Sequence, residues 1–326
     1  TIAYEEITDN DVVMYQFPDR LICSKEELVG YMVSRLKLTR KDVVIIDRTT
    51  GIGQAIMQNA APARIGIVIH ADHFSEGSTD EEHVLWNNYY EYSFAQNKHV
   101  KFYVTSTDTQ NQLLKNQFKK YEGVIPKIVT IPVGSIDELK RPKKGRKKHS
   151  LITASRLADE KHVDWLIEAV AKAREQVPGI SLDIYGKGGE EVKLKKLIET
   201  LKCGDYVRLC GQHNLDEVYK DYEAYLSGST SEGFGLTLME AVGSGLPIIG
   251  FDVRYGNQNF IDDGKNGYLI AVHDKMEKKE RVQCLTECIV RLFTEADLKA
   301  FHQHSYEKAK EYFTEEVEQQ WEKVLK

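Results

Sequence analysis

"TSEGFGLTLMEAVGSGLPII" (residues 230–249) sets a Gly-Phe-Gly turn before an amphipathic run and a second apolar run, with Glu232 and Glu240 eight positions apart around the turn. The pattern predicts a loop after a strand ending at Gly228, a helix over 235–243 and a strand within 246–251. Glycine lets backbone approach a ligand closely. The free N–H groups of Leu236 and Thr237 at the helix start, with the helix dipole behind them, attract an anion. Helical side chains lean toward the N-terminus, so Glu240 can reach back to a hydroxyl-bearing part of the same ligand, such as a ribose. Two readings stand side by side at this point: a pair of ligand-binding carboxylates, or an exposed helix residue and an unrelated loop charge.

Outward from this stretch, short apolar runs recur between helical patterns: DVVIID (42–47), RIGIVIH (64–70), VKFYVTS (100–106), KIVTIP (127–132), SLITAS (150–155), ISLDIYG (180–186), YVRLCG (206–211), AYLSGS (224–229) and LPIIGF (246–251). This is the alternation of an α/β fold with parallel sheets covered on both faces. Helices are predicted at 25–37, where Ser24 and Glu27 form a capping box, and at 108–120, 163–176, 190–201, 215–222, 235–243 and 278–293. Residues 298–326 read as helix, suggesting a terminal helix, 306–326, that packs across domains. Between the fourth and fifth of these runs, "KRPKKGRKKH" (140–149) holds seven Lys or Arg and no apolar residue, which reads as an exposed linker with a hinge near 149, or else as a dock for anionic lipid or nucleic acid. The expected division is 1–149, 150–305 and the terminal helix.

The 326 residues, 41% hydrophobic, suffice for two domains with cores of their own. A formal charge of −6 argues against nucleic acid bound by bulk electrostatics. No run approaches the length of a membrane span, and residues 1–20 lack the pattern of a signal peptide. Five scattered cysteines, Cys23, Cys203, Cys210, Cys284 and Cys288, argue against a disulfide scaffold or structural zinc site and for a reducing cytosol.

Anions need cations, and "SLITASRLADEKHVDWLIEAV" (150–170) offers Arg156 and Lys161 in a loop between a strand and a helix. "LDIYGKGGE" (182–190) offers Gly186, Gly188 and Gly189, and "LCGQHNLDEVY" (209–219) offers Gly211 with a helix start near Asn214. Alone, each is a weak signal; in this order they predict a nucleotide pocket along one edge of one sheet. His70 admits either a structural role or, with His73 nearby, metal ligation.

These residues carry a family resemblance. "SRLADEK" (155–161), "LDIYGKG" (182–188), "GQHNLDEVY" (211–219), "SEGFGLTLMEAVGSGLPIIGFD" (231–252) and "FIDDGKNGYLI" (260–270) resemble the donor domain of retaining glycosyltransferases of family 4, which have the GT-B fold: two Rossmann-like domains facing across a cleft. "IVIHADH" (67–73), "FYVTSTDTQNQLL" (102–114) and "IVTIPVGSID" (128–137) resemble elements of the family's first domain. The resemblance implies that Arg156 and Lys161 hold the diphosphate of a nucleotide sugar and that Glu240 binds the ribose. His213 and Leu215 would lie near the base. Glu232, with backbone N–H groups around Gly233, Phe234 and Gly235, would hold the donor sugar, and His70 would approach it from the other domain. It also implies transfer with retention and without a metal or other cofactor, in line with the lack of a suitable DxD motif.

"DVRYGNQNFIDDGKNGYLI" (252–270) with "VVIIDRTTGIGQAI" (43–56) is similar, more narrowly, to the catalytic subunits of accessory-Sec O-GlcNAc transferases, which modify serine-rich repeat adhesins. That likeness implies UDP-N-acetylglucosamine as donor, Ser or Thr hydroxyls as acceptor, a homologous companion subunit, and a cytoplasmic location with peripheral contact at the inner face of the membrane. The alternatives it leaves are a wall teichoic acid glycosyltransferase and a non-catalytic acceptor-binding companion; a nucleotide-sugar epimerase is a weaker third. Against the family pattern, the chain opens at "TIAYEEITDNDVVMYQF" with neither the first strand and glycine-rich loop nor the β-rich insertion of the subfamily, so the first domain is expected to be incomplete.

Overall fold

The computed structural model describes residues 5–9, 12–16, 24–70, 89–119, 125–273 and 275–326. Cys23 and His73, singled out above, lie outside the described residues. The chain divides into two compact units, Thr1–Tyr103 and Val104–Lys326.

The first unit begins with β1 (Glu5–Asp9) and β2 (Val12–Gln16), an antiparallel pair in register from Glu5 opposite Gln16 to Asp9 opposite Val12. Ile7, Val12, Val13 and Tyr15 are strand-favouring residue types, in keeping with this pairing. α1 (Lys25–Arg35) follows, with the expected capping box formed in both directions between Ser24 and Glu27. β3 (Val43–Ile46) and β4 (Arg64–Ile69) are parallel, joined through α2 (Ile52–Asn59), a helix the hydrophobic pattern had not marked. α3 (Glu91–Ala95) then leads to β5 (Phe102–Thr105), which starts in this unit. The strand order of this sheet is β3-β4-β5-β6, with β6 at Ile128–Thr130.

In the second unit α4 (Asp108–Gln117) is capped by Thr107, whose hydroxyl accepts the Gln110 N–H. Six parallel strands then form a sheet of order β12-β11-β10-β7-β8-β9. They are β7 (Ser150–Ala154), β8 (Ser181–Tyr185), β9 (Val207–Gly211), β10 (Ala224–Leu226), β11 (Ile248–Phe251) and β12 (Gly267–Ile270). Counted from β7, the order is that of a doubly wound nucleotide-binding sheet, with its reversal between β7 and β10.

Side chains alternate across this sheet with period two, and the two faces collect separate cores. Leu151, Leu182, Ile184, Ala224, Leu226 and Phe251 meet α5 (Val163–Ala173) and α9 (Lys278–Thr294) on one face. Ile152, Ala154, Tyr225 and Ile248 meet α7 (Leu236–Gly243) on the other, once α6 (Glu191–Thr200) has been passed. α5 is driven onto the sheet by Val163, Leu166, Ile167, Val170 and Ala173, all buried at helical spacing. Burying each large aliphatic contributes about 1.5–3 kcal/mol, and Leu166→Ala would cost about 2–5 kcal/mol. α8 (Gly256–Phe260), α10 (Leu298–Ala309) and α11 (Thr314–Leu325) complete the unit. Among the described residues no helix is long and apolar enough to cross a membrane.

Three expectations need correction. Residues 215–222 form no α-helix; only Tyr219–Asp221 make a 3-10 turn, because Tyr219 is drawn into the core and Tyr222 is extended. The run 298–326 is broken at Lys310–Phe313: the Tyr312 ring packs against Phe234 and Phe260, and the chain turns out to pair Phe313 with Ile136. The basic segment 140–149 is not a free connector. Arg146 donates to the carbonyls of Lys220, Tyr222 and Ser244 at 2.8 Å each and to the Tyr306 hydroxyl at 3.1 Å. Arg141 lies 4.2 Å from the centre of the same Tyr306 ring.

Candidate functional site

Ligands of open α/β sheets gather at the carboxyl ends of strands near the reversal of strand order. Here three strand ends are drawn together by one glycine. Gly186, just past β8, has φ +134°, and a Cβ there would stand 1.9 Å from the Ser155 carbonyl oxygen that follows β7. Its N–H donates to Gly211 O at the end of β9, at 2.8 Å. The first glycine of "LDIYGKG" is thus a backbone packing requirement.

Past β10, Gly235 takes φ +88° and turns the chain into α7. Among the described residues, the N–H groups of Leu236 and Thr237 have no hydrogen-bond partner, as the first amides of a helix must lack one within it. Tyr225 Oη braces this turn against β7, 2.8 Å from Ala154 O and 3.0 Å from Thr237 Oγ1; burial pushes its phenol up to about 12.

Between these elements lies a cleft of about 640 Å³, within the range of small-molecule sites. Its walls include six of the expected residues: Arg156, Gly186, His213, Leu215, Thr237 and Glu240. They also include Tyr185, Lys187, Asp216 and Tyr219, which sequence reasoning did not single out. Tyr185 sat inside the quoted "LDIYGKG", where only the glycines drew notice.

Arg156 is largely exposed, and its Nη2 meets Glu160 Oε1 at 2.6 Å. Glu240 accepts the Tyr219 hydroxyl at 3.0 Å. Its side chain is open to the cleft, yet loss of hydration among the walls, aided by the Asp216 charge, raises its carboxyl above the usual range against the pull of the Tyr219 bond. A second cavity of about 340 Å³ shares Asp216, Tyr219 and Glu240 with the first, so the Glu240 carboxylate stands in a partition between them.

Lys161 and Glu232 are not among the walls of the 640 Å³ cleft. They face each other, Nζ to Oε2 at 2.5 Å, with only 16% and 18% of their side chains exposed. The main chain of Glu232 is held as well: its N–H donates to Arg254 O at 2.9 Å, and its carbonyl accepts the Gly256 N–H at 2.8 Å. Gly228 packs so closely on the Lys161 and His162 carbonyls that a Cβ would stand 2.7 Å and 2.8 Å from them. The Lys161 loop and the Glu232 loop are therefore fixed against one another. Phe234 sends its ring into the core against Phe260 and Tyr312, leaving only its backbone, like that of Gly233, for a ligand.

His213 Nε2 lies 2.7 Å from Cys210 O, and its ring stands edge-on to Tyr185. His70 belongs to the first unit, where it follows β4; it is exposed, with Nε2 3.5 Å from Asp47 Oδ1 and its backbone N–H donating to the Tyr90 hydroxyl at 3.1 Å.

The second unit thus offers helix amides and an arginine for an anion and a carboxylate for hydroxyls, in a doubly wound sheet. Residues 135–289 match the family described as glycosyl transferases group 1. The chain is 50% identical, over 100% of its length and 65% of the relative's, to the UDP-N-acetylglucosamine--peptide N-acetylglucosaminyltransferase GtfA subunit of Streptococcus gordonii. It superimposes on the pneumococcal O-GlcNAc transferase GtfA, solved in complex with UDP and GlcNAc, with a TM-score of 0.88 and 43% identity, covering 99% of this chain and 69% of that one. A GtfA/B complex gives a TM-score of 0.88 at 50% identity, covering 99% and 64%. The chain therefore spans about two thirds of the length of these relatives. Sheet order, cleft and likeness agree: the chain has GT-B architecture and belongs to the group 1 glycosyl transferase family.

Proposed function

We propose that this chain forms the donor-binding and catalytic part of a retaining glycosyltransferase that moves N-acetylglucosamine from UDP-N-acetylglucosamine to Ser or Thr hydroxyls of a serine-rich protein. The observation that carries the reading is the gathering of Arg156, Gly186, Thr237 and Glu240 around one cleft at the β7-β8-β9 strand ends. The names of its 43–50% identical relatives support the donor and the peptide acceptor.

In this reading the bond between the sugar's anomeric carbon and the diphosphate breaks with its electrons going to the diphosphate. The acceptor oxygen bonds to the same face of that carbon, and the acceptor's proton passes to the departing phosphate oxygen. The charge that develops on the leaving group is met by Arg156, Lys161 and the Leu236 and Thr237 amides, without a metal ion. Glu240 accepts the ribose hydroxyls, His213 and Leu215 border the base, and Glu232 with the Gly233–Gly235 backbone receives the sugar. Lys161 then serves two anions, Glu232 and the diphosphate. The companion subunit, supported by the GtfA/B complex of a relative, belongs to the same proposal, as does a cytoplasmic location.

Calorimetric titration of UDP and UDP-N-acetylglucosamine into the wild type and Arg156→Ala, beside a radiolabelled-sugar assay with a serine-rich peptide, tests the reading. Micromolar to millimolar UDP binding that weakens about tenfold or more in the variant is expected. Equal binding by both proteins would sink the donor-site assignment, and binding without transfer would sink the catalytic one.

A further inference from the structure

One buried acid in the second unit has no part in the function proposed above. Asp183 lies mid-strand in β8, and the alternation that sends Leu182 and Ile184 to the α5 face sends Asp183 and Tyr185 to the other. A carboxylate inside a sheet is costly to desolvate unless it is fully paired. Arg208, on β9, meets it with two parallel bonds at 2.7 Å and 2.8 Å, and the buried Tyr222 hydroxyl donates to it at 2.6 Å. Burial pushes the Asp183 carboxyl up, but the Arg208 and Tyr222 bonds outweigh it and hold it below the usual range.

The direction of the next bond follows from proton counting. Tyr222 has one hydroxyl proton, and the ionised carboxylate is its strongest acceptor. The Tyr185 hydroxyl, 3.1 Å from Tyr222 Oη, must therefore donate to it; the Cys210 thiol beside Tyr185 is a weak acceptor by comparison. Tyr185 is thereby tied by its polar end to a buried phenol while the residue lines the cleft. What remains to offer the cleft is a flat apolar ring. The His213 ring, also in the wall, stands at 85° to it with centroids 6.0 Å apart, so the two form an aromatic corner.

We propose that Tyr185 is the stacking wall for the base of a nucleoside diphosphate, and that Asp183 and Tyr222 are positioning residues that lock its ring. This rests on the nucleotide reading of the cleft given above. An aromatic corner serves a planar, π-faced ligand, whereas a diphosphate alone would gain nothing from it.

The test compares UDP with inorganic pyrophosphate, which lacks the base, by calorimetry on wild type, Tyr185→Leu, Tyr185→Phe and Tyr222→Phe. Tyr185→Leu is expected to weaken UDP about tenfold or more while leaving pyrophosphate unchanged. Tyr185→Phe keeps the ring without its tether and Tyr222→Phe removes the bridging hydroxyl; each should weaken UDP a few-fold and spare pyrophosphate. If wild type binds UDP and Tyr185→Leu binds it equally well, the stacking wall does not exist. Parallel losses of UDP and pyrophosphate would mean a structural role only, and overturn the proposal. A wild type that binds pyrophosphate but gains nothing from the uridine overturns it too, whereas one that binds neither defeats the nucleotide reading beneath it.

Discussion

The Lys161–Glu232 pair permits a quantitative prediction. At 2.5 Å and an effective dielectric constant of about 20, two unit charges attract by about 6–7 kcal/mol, most of it offset by the loss of hydration. Breaking a fully buried pair by removing one partner costs about 3–5 kcal/mol; with roughly a sixth of each side chain exposed, about 2–4 kcal/mol is expected here. Lys161→Met should fall near the upper end, because it strands a carboxylate. Glu232→Gln, which keeps shape and an acceptor, should fall near the lower. The double variant should recover about 2 kcal/mol relative to the sum of the two. Urea unfolding followed by far-ultraviolet circular dichroism reads all three values. Pyrophosphate affinity supplies an opposite-sign check: it should rise in Glu232→Gln, which frees the ammonium, and fall in Lys161→Met. Single variants within about 0.5 kcal/mol of wild type, with no coupling between them, would refute the reasoning.

His302 predicts a pH dependence. Burial, with the Arg146 charge beside it, lowers its pKa from 6.5 to about 4, while its ring nitrogen holds Gly245 O at 2.6 Å. The folded value lies below the unfolded one, so the neutral ring's contribution is complete above pH 6.5 and is lost as pH falls through about 4. That loss amounts to about 3 kcal/mol, and denaturant titrations between pH 7 and pH 4 should show it in the wild type and not in His302→Gln. Gly186→Ala places a Cβ 1.9 Å from Ser155 O at φ +134°; a loss of more than about 2 kcal/mol, with weakened UDP binding, is expected by thermal unfolding and calorimetry.

The parallel sheet was legible because buried strands read as continuous apolar runs, and β7 and β11 are buried at every residue. β12 was not, since Gly267–Ile270 is a four-residue strand behind a turn-rich stretch, and its pairing with β11 is a tertiary fact. The break at Lys310–Phe313 was hidden because Tyr312 and Phe313 keep helical spacing; only their aromatic partners, distant in sequence, show why the helix stops. At the site, glycines and charges advertise themselves, so Gly186, Arg156 and Glu240 could be picked out. Tyr185, Tyr219 and Asp183 could not, because their roles depend on hydroxyl contacts across 21 to 39 residues. Nor does composition reveal that Lys161 meets Glu232.

The stitching of Arg146 also bears on how the chain meets proteases. A stretch with seven cationic residues is, by composition, a cluster of trypsin sites. Cleavage needs an extended backbone and a side chain free to enter the protease's pocket, and the Arg146 guanidinium is committed to four oxygens from three other parts of the chain. Lys143 and Lys144 stay exposed and keep their susceptibility. Nicking in the folded protein is thus directed away from Arg146 and toward the exposed lysines on either side of it, until the sheet itself opens.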